Sequence, residues 1–106
     1  MAAFDFSEFV APLPHPGDIL REDFMIPLRL TPGALARAMG LRDRTRIERL
    51  SRCAQSVSAD TALRLGRVFN TSAQFWINLQ TAHDLSAAAI ESRQELAKVE
   101  PLPGFA

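Results

Sequence analysis

Residues 31–52, TPGALARAMGLRDRTRIERLSR, decide the fold. Thr31 is a good N-cap residue, and Pro32 suits the first helical position, where its missing N–H costs nothing. Leu35, Ala38 and Met39 fall on one face at three- and four-residue spacing. Gly40 fits a left-handed C-cap. Asp43 can cap a second helix, and its charge suits that helix's positive end. There Ile47 and Leu50 make a narrow apolar stripe, while Arg44, Arg46, Arg49 and Arg52 take the other faces. Two short helices joined through a glycine describe a helix-turn-helix. Arginines exposed on the second are what a major-groove reader needs.

An arginine-rich face can equally be a solvated one. The charge distribution argues for more. The chain has 106 residues and a formal net charge of zero. Residues 31–70 nevertheless carry +5, from eight arginines against Asp43, Glu48 and Asp60, between ends of −3 and −2. A basic middle between acidic ends favours a polyanionic partner. All the basic residues but Lys98 are arginine, whose fork matches guanine or phosphate.

The length implies one domain. No apolar run approaches the roughly 18 residues of a membrane span, and MAAFDFSEFV has no basic segment of a secretory signal. Cys53 is the only cysteine, so no internal disulfide forms, which fits a reducing cytoplasm. No catalytic constellation, metal-ligand spacing or glycine-rich phosphate loop is present, so neither an enzyme nor a cofactor is expected. His15 and His83 lie far apart in sequence, and His15 reads as a helix-start residue.

Outward from the centre, residues 1–15 read as an irregular arm, because Pro12, Pro14 and Pro16 favour an extended path. Phe4, Phe6 and Phe9 in it either pack on the domain or anchor a partner. Pro16 opens a helix to about Ile26, ended by Pro27, with Ile19, Leu20, Phe24 and Met25 inward. Leu28 and Leu30 are expected core contacts. Ser58 and Ser72 cap two more helices, and Asn70 ends the first. Ala62, Leu63, Leu65, Gly66, Val68 and Phe69 supply one apolar face; Phe75, Trp76, Leu79 and Ala82 supply the other. Asp84-Leu85-Ser86 marks an expected break before a last helix, Ala87 to Val99, with Ile90, Leu96 and Val99 apolar. The expectation is all-α: a compact bundle of four to five helices, divided into an arm (1–15), a helix-turn-helix domain (16–85) and a C-terminal helix with a loose tail (86–106).

HPGDILREDFMIPLRL with LARAMG and SADTALRLGRVFNTSAQFWINLQTAHDL resembles the HigA/VapI-type antitoxins of the Xre-like helix-turn-helix superfamily, over about residues 15–85. The resemblance implies a lambda-repressor-like fold, a homodimer, a palindromic operator in the chain's own promoter, and a RelE/HigB-like RNA-cleaving toxin as protein partner. It implies base contacts from Arg44, Thr45 and Arg49, and phosphate contacts from Thr31, Arg42, Arg46 and Arg52. Toxin or dimer contacts are expected among Phe4, Phe6, Phe9, Trp76 and Ile90. Two departures stand out. Gly40-Leu41-Arg42-Asp43 is one residue longer than the family's usual turn, and Cys53-Ala54-Gln55 stands where glycine and a basic pair are usual. The competing expectations are a stand-alone transcriptional regulator without a toxin, and a protein–protein module that no longer reads DNA.

Overall fold

The computed structural model describes residues 9–106, which hold six helices and no strand. Helix α1 starts as an α-helix over Pro16–Ile19, widens to a π-helix over Leu20–Met25, and closes over Ile26–Leu28. It is followed by α2 (Pro32–Ala38), α3 (Thr45–Ser51), α4 (Ala59–Phe69), α5 (Ala73–Glu91) and the single turn α6 (Arg93–Leu96).

The caps follow the sequence. Oxygens of Thr31, Ser58 and Ser72 accept from backbone N–H groups three residues on. His15 caps α1 through Nδ1, which accepts from the Gly17 N–H at 2.9 Å. Gly40 adopts φ +72° after α2, where the Leu41 N–H bonds back to Ala36 and the Gly40 N–H to Arg37, as a Schellman motif requires. The same pattern ends α3 with Cys53 in the left-handed position, φ +60°: Cys53 N–H bonds to Leu50 and Ala54 N–H to Arg49. Cys53 thus stands in a glycine's place at this cap.

Leu20, Leu35, Ile47, Leu50, Leu65 and Trp76 form the centre of the core, each at most 1% exposed. Phe24 and Phe69 lean on Trp76 with ring centroids 5.2 and 6.3 Å away. The Trp76 indole N–H donates to Thr71 Oγ1 at 2.9 Å, so its polar end is satisfied inside. Gln80, also buried, accepts from the Val57 N–H at 2.8 Å and pins the segment after α3.

Several expectations are corrected. Pro27 does not end α1. Its ring would collide with the carbonyl four residues back. The π-helix just before it, where Ile26 N–H reaches the Arg21 carbonyl, spaces that turn by five residues and lets the helix pass to Leu28. Ala36 is buried in α2 and Ala38 is exposed, since Leu35 rather than Ala38 centres the inward face. Leu28 and Leu63 are about 60% exposed, whereas Leu65 is buried and Leu30 is partly buried against the core. The expected break at Asp84–Ser86 is absent. Ser86 is buried, and its Oγ donates to the His83 carbonyl and accepts from the Leu13 N–H, so the helix needs no interruption there. Leu96 and Val99 are exposed, and helix ends at Leu96.

Candidate nucleic-acid interface

Helix α3 buries Ile47, Leu50 and Ser51 and turns Arg44, Thr45, Arg49 and Arg52 to solvent. Thr45, Arg49 and Arg52 follow one another at four and three residues, hence on one face. Asp43 accepts from the Thr45 N–H at 2.9 Å. It therefore opens α3 from two residues before the helix, with Arg44 between them. That bond holds the Asp43 carboxyl below the usual carboxylate range, and the nearby Arg42 and Arg49 charges add to the effect.

The other predicted side chains divide by their partners. Arg44 pairs with Glu48 one turn on, at 3.1 Å, and stays largely exposed. Such a pair on a surface helix is worth a few tenths of a kcal/mol and is easily exchanged for a phosphate. Thr31 Oγ1 is already used on the Ala34 N–H. Arg42, Arg49 and Arg52 are exposed and make no ion pair with the described residues. Arg46 instead turns back into the protein, its Nη1 2.6 Å from Asp60 Oδ2 and 3.4 Å from Thr61 Oγ1. Asp60 also holds Arg64, whose Nη1 donates to the Met39 carbonyl at 2.7 Å. Arg37 was not anticipated. It lines a shallow cleft with Arg42 and Arg44 beside Gly33 and Leu41. Its place in the basic segment 31–70 and its exposure on α2 were the signals.

The back of α3 is fixed by α1. Arg21 Nη1 donates to the Ser51 carbonyl at 2.5 Å, capping α3's C-terminus, and Asp18 braces the same guanidinium at 2.6 Å. Cys53 Sγ donates to Asp18 Oδ1 at 3.3 Å. Burial, then this hydrogen bond, pushes the Cys53 thiol above its ordinary value, which opposes reactivity.

The partner residues fare unevenly. Trp76 is fully buried, which leaves it no surface for a toxin or a second copy. Ile90 and Phe9 are half-buried, and the Phe9 carbonyl accepts from Arg93. Phe4 and Phe6 lie outside the described residues. The fold brings His15 and His83 together despite their separation, ring centroids 4.9 Å apart. Among the described residues no three His, Cys, Asp or Glu side chains gather so as to hold a metal ion. No described helix is long and apolar enough to cross a membrane.

These features define a helix-turn-helix protein whose second helix is exposed, basic and clamped from behind. No protein-family model matches the chain. It is 43% identical over 91 residues to virulence-associated protein I of Dichelobacter nodosus, covering 86% of this chain and 82% of that one. It superposes on a structure of Pseudomonas aeruginosa antitoxin HigA with the higBA promoter at TM-score 0.79 and 41% identity, over 85% of this chain and 98% of the other. Antitoxin GraA in complex with its operator is similar, at TM-score 0.78 and 41% identity over 84% and 90% of the two chains. The chain belongs to the HigA/VapI-type antitoxin family.

Proposed function

We propose that the chain is an antitoxin that binds DNA as a dimer, represses its own operon and neutralises a RelE/HigB-like RNA-cleaving toxin. The observation that carries this reading is the exposed face of α3, with Arg49 and Arg52 free of ion pairs among the described residues, on a fold whose relatives were solved with promoter or operator DNA. On this reading Arg44, Thr45 and Arg49 meet base edges, and Arg42, Arg52 and Arg37 meet phosphates. Thr31 contributes from the start of α2. A dimer presents two such faces about 34 Å apart, one helical repeat of DNA.

Co-expression with the adjacent open reading frame, followed by a pull-down, tests the toxin half. A stable complex that relieves the neighbour's toxicity is expected. No complex, with binding to the chain's own promoter retained, would instead favour a stand-alone regulator. That second reading draws support from a relative in Haemophilus influenzae, an uncharacterised HTH-type transcriptional regulator 34% identical over 80% of each chain.

A further inference from the structure

An acidic side chain sits among the arginines of the DNA-facing half. Asp60 opens α4, and its Oδ2 lies 2.6 Å from Arg46 of α3 and 2.9 Å from Arg64 of α4. Arg64 in turn donates to the last carbonyls after α2: Met39 at 2.7 Å and, more weakly, Gly40 at 3.5 Å. One carboxylate therefore links the two helices of the helix-turn-helix through two arginine forks. Arg46 holds α3, Arg64 holds the end of α2, and both meet on Asp60.

The chemistry of the residues fits a strut more than a stray surface pair. Arginine presents several donors in a rigid plane, so Arg64 can bond a carbonyl and a carboxylate at once. The carbonyls it meets lie at a helix end, where the last acceptors have no partner within the helix. Both arginines hold the Asp60 carboxyl below the usual carboxylate range, Arg46 the more strongly. The turn between α2 and α3 is itself long, from Met39 to Arg44. A longer turn constrains the angle of α3 less, which leaves more for the strut to fix.

We propose that Asp60 is a positioning residue for DNA reading: by holding Arg46 and Arg64 it sets the angle of α3 against α2, and so which bases Arg44 and Arg49 reach. Arg46 then acts as the strut's second arm and not as a phosphate contact. The proposal rests on the DNA-binding reading above.

The sign of one substitution separates this role from simple electrostatics. Asp60→Asn removes a negative charge beside the DNA face. Charge alone would tighten binding to every duplex equally. Positioning instead lowers the ratio of affinities for a fragment of the chain's own promoter and a scrambled duplex, by roughly fivefold or more, the low end of what a lost base contact costs. Random-DNA affinity should hold or rise. Equal tightening on both duplexes, with the ratio kept, would overturn the proposal. Arg64→Lys gives a second reading should Asp60→Asn fold poorly. It keeps the charge but loses the fork, so the ratio should again fall while the salt slope stays; an unchanged ratio would overturn the proposal equally. An unmodified chain that shows no preference for its promoter would defeat the functional reading itself, before any variant is compared.

Discussion

Gly17 of α1 stands against Leu50 of α3 so closely that a Cβ at Gly17 would lie 1.9 Å from the Leu50 carbonyl oxygen. The obstacle is backbone at the end of α3 and cannot swing aside. The His15-Pro16-Gly17 motif is thus the seat of α3. Arg21, one turn further along α1, completes it on the Ser51 carbonyl.

Gly17→Ala is therefore expected to destabilise the fold. Alanine gains up to about 1 kcal/mol of helix propensity, but forced overpacking costs typically about 1–3 kcal/mol and more against rigid backbone. The collision should win, and thermal denaturation should show a lower midpoint. Gly33→Ala is the control, since nothing lies within 4 Å of a Cβ there. It should be neutral or raise the midpoint. A stabilised Gly17→Ala would mean that α1 does not seat α3 this closely.

Cys53 pays for its left-handed backbone in strain that glycine avoids. Cys53→Gly should raise stability by about 0.5–1 kcal/mol despite the loss of the long thiol bond to Asp18. Cys53→Val should lower it, because a β-branched residue resists positive φ. In the native chain, alkylation of Cys53 should require higher pH than alkylation of a free thiol. Labelling as fast as an unfolded control at neutral pH would contradict the assigned environment.

His15 titrates below its ordinary value of 6.5, first because it is buried and second because His83 adds like charge. A folded-state value lowered from the unfolded one means that the unfolded chain binds the proton first. Stability from this group is present above about pH 6.5 and is lost as the pH falls through the folded value. Protonating Nδ1 would also remove the acceptor that caps Gly17. The native chain should lose stability as the pH falls below about 6.5, and His15→Asn, which keeps a capping acceptor, should lose less. Equal losses would place the titration elsewhere. The carboxyls of Asp18 and Asp60, lowered chiefly by Arg21 and Arg46, act in the same direction at lower pH: their stabilisation is present above the ordinary carboxylate range and fades below it.

Arg52, exposed at the end of α3, should serve phosphate and not sequence. Arg52→Ala is expected to weaken binding to promoter and scrambled DNA alike and to reduce the salt slope by about 1. A change confined to promoter DNA would make Arg52 a base reader.

The caps and the turn were legible because each depends on residues within four positions: Thr31, Gly40, Ser58, Asn70 and Ser72 all act locally. The exposure of the arginines on α3 was legible from Ile47 and Leu50. What sequence spacing could not show was pairing between helices. Arg46 reads as one more free arginine until Asp60, fourteen positions on, is placed against it. His15 and His83 look unrelated until α5 packs beside the start of α1. Pro27 and Ser86 misled for a different reason. A proline usually ends a helix, but a π-helix before it makes room; a serine often breaks one, but here its hydroxyl bonds within the fold. Leu28 and Leu63 stay about 60% exposed among the described residues although both carry apolar side chains.

The most direct test compares the unmodified chain and Arg49→Ala on a fragment of its own promoter and on a scrambled duplex, each titrated at several salt concentrations. The account predicts a preference for the promoter of at least about a thousandfold in the unmodified chain, the low end for specific DNA recognition. It predicts that Arg49→Ala loses about 1–3 kcal/mol of that preference while random-DNA binding changes little. Equal, salt-sensitive affinity for both duplexes, or no binding to either, would contradict an operator-reading role for α3.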